Sequence, residues 1–309
     1  MPAAGSELRR VTAGGTNIGH HIVKRLAAKP SQFTVDIIAR TSSKSSFPEG
    51  VKVHYVNNDT PHDQLVKILV GQDVLISAIG FGSISVQNAL IEAAIEAKVK
   101  RFIPSEYGVN NTAPTARALS PVFDAKGGFI EYLQSKESTG LSWTSVATGL
   151  WLDWTLEPDI SFADINIKTR TAKLWNNGTH KLSWSTLPWA AEGIAQILLA
   201  GELTANKVVP LHGFEASQKE IISALQKLQN VTYDIGHVDS REIIKNSQSS
   251  WVENKDMPSA IKLVQAGFLL DGYGSNLVTE GVTRLGNEYL TLPPLTLDEV
   301  VEASVKQWA

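Results

Sequence analysis

Residues Val11–Val23 read VTAGGTNIGHHIV. Glycines between a short strand and a helix leave backbone N–H groups open at the helix N-terminus, where a pyrophosphate can reach them. Gly14 and Gly15 suit the turn and the close approach. Gly19 suits tight packing of helix on strand, and Thr16 and Asn17 lie between them. The spacing is one residue short of the G-x-x-G-x-x-G form of a dinucleotide loop. A second strand-like run, FTVDIIAR, ends at Arg40, about 20 residues further on, where such a site identifies its dinucleotide. An acid at that point takes the ribose 2′-hydroxyl of NAD, whereas an Arg accommodates the 2′-phosphate of NADP. Here Arg40 is followed by Thr41, Ser42, Ser43 and Lys44, with no carboxylate among them, which selects NADP(H).

The elements that must position this loop alternate along the first half of the chain. IVKRLAAK is helical, VKVHYV is a strand, PHDQLVKIL is a helix and DVLISAIG is a buried strand. ISVQNALIEAAIEAKV repeats its apolar positions near the helical period, KRFIPSEYG begins as a strand, and a long helix runs from about residue 120 to 138. LSWTSVATGLW reads as a sixth strand. Strands spaced by helices predict an α/β fold, a Rossmann-type doubly wound parallel sheet with a smaller mixed α/β substrate domain. Residues 1–153 form the dinucleotide-binding domain, with 186–211 returning to it, and 154–309 are mainly the substrate-binding domain. Ligands of such sheets bind beyond the carboxyl ends of the strands. Arg40, Asn58, Gly80, Phe81, Ser105 and Gly149 stand there, with Gly80 and Phe81 on the nicotinamide side. In the second half, TAKLWNNGTHKLSWST predicts a hairpin turning at Asn177-Gly178, and SQKE and TLDE are capping boxes that open helices.

Composition narrows the function classes. The chain of 309 residues is 43% hydrophobic and 19% charged, with a formal charge of −3 and no cysteine. Thiol catalysis, thiolate metal sites and disulfides are excluded. The charge offers no broad attraction to nucleic acid or anionic membrane. MPAAGSELRR has no apolar signal core, so a cytoplasmic protein, monomer or homodimer, is expected. The seven histidines show no metal-ligand spacing, and no metal is expected.

KRFIPSEYG (100–108), followed by PVFDAK (121–126), resembles the isoflavone reductase-like branch of the atypical short-chain dehydrogenases, the NmrA-like group, whose signature is RFIPSEFG. The resemblance extends over nearly the whole chain. It implies a reductase that uses NADPH on a small aromatic metabolite, phenylpropanoid- or polyketide-like. Other members implied by the same likeness are dinucleotide-binding regulators without turnover, and a non-redox isomerase or cyclase using the same cleft also stays open. In this group the lysine of V-F-x-x-K, here Lys126, acts as a proton relay beside the cofactor, and Ser105 helps to fix the nicotinamide. The short-chain dehydrogenase tyrosine four residues earlier is replaced by Val122. Tyr132 and Lys136 offer the Y-x-x-x-K spacing instead, but ten residues of helix, roughly 15 Å, separate Lys136 from Lys126. Lys136 is expected to be a surface cation at the helix C-terminus. Trp151 and Trp154, after the sixth strand, suit a flat aromatic substrate at the cleft mouth.

Overall fold

The computed structural model describes residues 10–13, 17–80, 86–280 and 284–309. Six strands come first in the chain: β1 (Arg10–Ala13), β2 (Thr34–Arg40), β3 (Lys52–Val56), β4 (Val74–Ile76), β5 (Arg101–Ile103) and β6 (Ser142–Ala147). They alternate with α1 (Ile18–Ala27), α2 (His62–Leu69), α3 (Val86–Glu96), α4 (Pro114–Leu119) and α5 (Pro121–Ser135). β4 and β5 are buried at every residue, as strands covered on both faces must be. After them come β7 (Leu150–Trp151), α6 (Leu152–Thr155), β8 (Ile165–Asn166), β9 (Thr171–Trp175), β10 (Lys181–Ser185), α7 (Leu187–Ala200) and β11 (Lys207–Pro210).

The large sheet is parallel throughout, in the order β3-β2-β1-β4-β5-β6-β11. Ala13 stands between Ile37 of β2 and Ile76 of β4. The chain therefore reverses its direction of travel across the sheet at β1, and that reversal opens a crevice at the carboxyl ends. One helix layer, α1 with α7, shares a core with Val11, Ile37 and Val146; the other, α2, α3 and α5, packs on Leu75, Phe102 and Trp143.

A single charged residue interrupts β5. Arg101 is fully buried, and its guanidinium donates to Ser142 Oγ (2.6 Å), Thr144 Oγ1 (3.1 Å), Thr204 Oγ1 (3.3 Å) and Gly201 O. A buried charge is tolerable only with such partners. These bonds tie β5 to β6 and to the turn after α7, directly before the segment that carries Ser105.

The remaining elements are β12 (Phe214–Ser217), α8 (Gln218–Gln229), β13 (Asp234–Val238), α9 (Ser240–Asn254), α10 (Met257–Leu269) and α11 (Leu297–Trp308). Among the described residues they complete two small mixed sheets, β12-β10-β7 and β13-β9-β8. Both predicted capping boxes open their helices, at Ser217 for α8 and Thr296 for α11. Two sequence expectations need correcting. The sixth strand is not continuous: Gly149 takes φ +67°, where a Cβ would come within 2.1 Å of Ser183 O, and the chain passes from β6 into β7 of another sheet. The Asn177-Gly178 turn forms, but its flanking strands do not pair. β9 and β10 enter different sheets because β9 is paired on one side by β13 and on the other by β8, with the start of α8 capping the groups that β8 leaves open. Gln218 accepts from Trp175 N (2.9 Å) and donates to Lys173 O (3.1 Å), while Lys219 N donates to Gly178 O (3.1 Å).

Asp153 of α6 joins the small region to the large sheet by accepting Leu187 N, at the start of α7, on both oxygens (3.2 and 3.1 Å). Burial pushes its carboxyl up to about 6, against three backbone N–H groups that favour the charge. The folded protein thus holds this proton between about pH 4 and pH 6, where the unfolded chain releases it, so stability falls as pH rises through that window. A shift of this size amounts to at most about 3 kcal/mol. Asp153→Asn keeps an acceptor for Leu187 N and removes the titration. Urea unfolding at several pH values should show the variant gaining on the wild type from pH 4 to 6 and running parallel above. Parallel curves throughout would refute this account.

Candidate functional site

Two adjoining cavities form a trough along the carboxyl ends of the strands, sharing Ala78, Ile79 and Gly80 after β4. The first, about 160 Å³, lies over the ends of β2, β3 and β4 and is walled by Ile38, Arg40, Ser43, Ser45, Phe47 and Thr60 among others. The second, about 400 Å³, runs from Asn17 at the start of α1 to α5 and α10.

Gly14, Gly15, Thr16 and Phe81 lie outside the described residues. Asn17 precedes α1 with φ +50° and borders the larger cavity, while Gly19 is buried in the first turn of the helix. Arg40 is exposed at the end of β2 and makes no hydrogen bond or ion pair through its side chain among the described residues. The loop after it is pinned by Thr41 N to Val56 O (2.9 Å) and Ser42 N to Asn58 Oδ1 (3.2 Å). Lys44 is exposed and is not on the cavity wall, whereas its neighbours Ser43 and Ser45 are.

The segment after β5 is held from several sides. Ser105 N donates to Gln87 Oε1 (2.8 Å) and Ser105 Oγ donates to Ile79 O (2.9 Å). Tyr107 sits at φ +44°, a conformation rare for a bulky residue, and is fixed there by its hydroxyl on Ser77 O (2.8 Å) and its N–H on Val146 O (2.8 Å). Just before this turn, Glu106 O accepts from Lys126 Nζ at 2.6 Å. Lys126 reaches that carbonyl from the second turn of α5, which starts at Pro121 behind the cap Ser120. The helix can come so close because residue 127 is glycine: a Cβ there would lie 2.6 Å from Asn111 O. Burial pushes the Lys126 amine down, with the Glu106 charge opposing it, and pushes the Glu106 carboxyl up. A lowered amine is the direction that suits a group which must give up and take back a proton.

Opposite Lys126 the wall is aromatic. Trp151 and Trp154 meet edge to face at 6.1 Å, Trp154 and Phe162 are tilted at 5.3 Å, and Phe162 meets Phe268 edge to face at 6.2 Å; Phe123 closes the arc on Phe268 at 6.2 Å. All five line the same cavity. Trp151 Nε1 donates to Thr148 Oγ1 (3.0 Å), which fixes the ring.

The competing pair lies elsewhere. Tyr132 donates its hydroxyl to Glu92 of α3, and Lys136, the last residue of the helix cap, pairs with the same carboxylate at 3.0 Å. Neither borders the trough. Away from it, His180, Asp271 and Glu280 bring three possible metal-ligating atoms within 4.8 Å, a grouping their sequence spacing hides. Asp271 is 89% exposed there and His180 Nε2 is bonded to Ser275 Oγ. Sequence reasoning also missed Glu106, Asn111, Phe162 and Phe268. Glu106 and Asn111 carry a signal, being polar residues just past a buried strand; the two phenylalanines carry none.

The chain matches the NmrA-like family over residues 10–272. Oxidoreductase aprR of Aspergillus flavus is 32% identical to it over 299 residues, 96% of this chain and 98% of that protein. A leucoanthocyanidin reductase from Vitis vinifera, solved with NADPH, has the same fold, with a TM-score of 0.74 at 18% identity over 96% of this chain and 99% of that one. AtPrR2, solved with NADP+ and (+)pinoresinol, superposes with a TM-score of 0.72 at 20% identity over 98% and 100%. The sheet order, the RFIPSEYG segment against Lys126 and the extent of these matches agree: the chain belongs to the NmrA-like family.

Proposed function

We propose that this protein is an NADPH-dependent reductase of a small, uncharged aromatic metabolite, with Lys126 as the proton relay. One observation carries the reading: a single trough joins an end bearing an unpaired Arg40 to an end where Lys126 faces an arc of five aromatic rings. The oxidoreductase relative and the NADP(H)-bound structures described above support it. Residues 1–153 with 186–211 hold the cofactor in this reading, and the rest of 154–309 mainly closes over the substrate.

The residues present fit the dinucleotide. Arg40 and the hydroxyls of Ser43 and Ser45 would hold a 2′-phosphate, and Asp36 of β2 is engaged by His54 (2.8 Å) and Gln72 (3.3 Å). The start of α1, with Asn17, Gly19 and the preceding Gly14, Gly15 and Thr16, would receive the pyrophosphate, which the helix dipole favours. Gly80, Phe81 and Ser105 would hold the nicotinamide. NADPH, when bound, supplies a hydride. Trp151 and Trp154 hold the substrate ring, and the cavity of about 400 Å³ is in the range of small-molecule sites. Lys126 exchanges a proton with the substrate oxygen.

Arg40→Met should remove the preference for NADPH over NADH. A charge-assisted contact of this kind contributes about 1.5–3 kcal/mol. Calorimetric titration with both cofactors decides it: equal wild-type affinities would end the NADP assignment.

For the chemistry, Lys126→Met deletes the amine and keeps most of the stem. Turnover of an aromatic substrate, followed as NADPH consumption, should fall by about 10²–10⁴. Lys136→Met should leave turnover unchanged, since that side chain belongs to a surface pair with Glu92. If Lys136 proved essential and Lys126 dispensable, the assignment of the relay would be wrong.

A further inference from the structure

Glu106 and Asn111 stand in the wall of the larger cavity at 2% and 3% exposure. Asn111 Nδ2 donates to Glu106 Oε2 at 2.6 Å. The two atoms left over, Glu106 Oε1 and Asn111 Oδ1, are both buried and neither has a partner. With the carboxyl ionised, both are acceptors, and neither can satisfy the other. A proton on Oε1 makes one of them a donor, and acid and amide then exchange two hydrogen bonds in a closed ring. We propose that Asn111 locks Glu106 as the neutral acid, so that no carboxylate holds Lys126 in its charged form and the amine stays free to take a proton. The role given to Glu106 rests on reading Lys126 as the relay; its protonation state does not.

The surroundings agree. Burial is the main influence on both groups, raising the acid and lowering the amine; the Lys126 charge and the Nδ2 donation of Asn111 oppose the rise at Glu106 without overcoming it, and the Glu106 charge opposes the fall at Lys126. The Tyr107 phenol, raised by burial and by Glu106, is neutral and donates to Ser77 O. Arg117 of α4 is engaged by Asp124 and Glu131 of α5, Lys262 of α10 by Gln265, and Asp153 of α6 by Leu187 N. Glu106 acts through Lys126 and is a positioning residue.

The test uses the whole chain without substrate. Infrared spectra at pH 8, with ¹³C at the glutamate carboxyls, should show a protonated-carboxyl C=O band that shifts with the label. Among the described glutamates with a clear shift, Glu106 alone is pushed toward the acid form, since partners outweigh burial at Glu192, Glu220 and Glu92, and Asp153, at about 6, is ionised by then. Glu106→Gln, the neutral mimic, should lose the band. In the same variant, trace acetylation of Lys126 by acetic anhydride should keep its wild-type pH profile. Had the wild type contained an ion pair, removing the carboxylate would free the amine, and labelling at neutral pH would rise about tenfold for each pKa unit lost. Such a rise overturns the proposal. So does a wild-type spectrum without the labelled band at pH 8, which decides the matter even if the variant fails to fold.

Discussion

The hydrogen bond from Lys126 Nζ to Glu106 O is the contact that the rest of the site is built to permit. It requires the main chain after β5 to present one carbonyl to one helix at 2.6 Å. Four separate ties hold that chain: Gln87 on Ser105 N, Ser105 Oγ on Ile79 O, Tyr107 on Ser77 O, and Tyr107 N on Val146 O. They come from three places, α3, the segment directly after β4, and β6, so the position of the carbonyl is set by the sheet and the helix on it and not by the loop alone. From the other side, Gly127 removes the one Cβ that would keep α5 away.

Such a site conflicts with the solvation of its own groups. An amine and a carboxyl are placed against an aromatic wall, where an isolated charge costs several kcal/mol or more. Elsewhere the fold resolves the same conflict by satisfying the charge: Arg101 is fully buried and has four acceptors. Among the described residues, Lys126 donates to a single neutral carbonyl, and Glu106 accepts from a single amide. The difference marks one charge as structural and the other pair as poised to change protonation.

How much of this was legible in the sequence depends on the range of the interactions. The parallel sheet follows from the alternation of strand-like and helix-like runs, and the place of Lys126 follows from the V-F-x-x-K resemblance and its position in the early turns of a helix. Arg40 borders the smaller cavity because it ends a strand; Lys44, four residues later, does not border it, because a loop does not fix direction. The hairpin expectation failed for a related reason. Asn177-Gly178 encodes the turn, but β9 is taken by β13 and β8, with Gln218 capping the rest, and local turn chemistry carries no information about those competitors. Phe162 and Phe268 likewise reach the cavity through tertiary packing alone, and Glu106 shows its character only once Asn111 is seen to leave two atoms unmatched.

The two ends of the trough therefore work by different physics. Arg40 is exposed, so its attraction for a phosphate passes through water and is screened over about 10 Å at ordinary ionic strength. The aromatic end binds by excluding water, and with Glu106 neutral it presents no net charge to attract or repel a ligand. A charged substrate would lose its hydration there and meet only Lys126 in return, whereas a neutral ring loses little and gains contact with ring faces and edges. Selection at this end is thus by shape and neutrality, and the same exclusion of water that admits the ring is what lowers the Lys126 amine. In the proposed function, substrate binding and relay chemistry are two consequences of one dry wall.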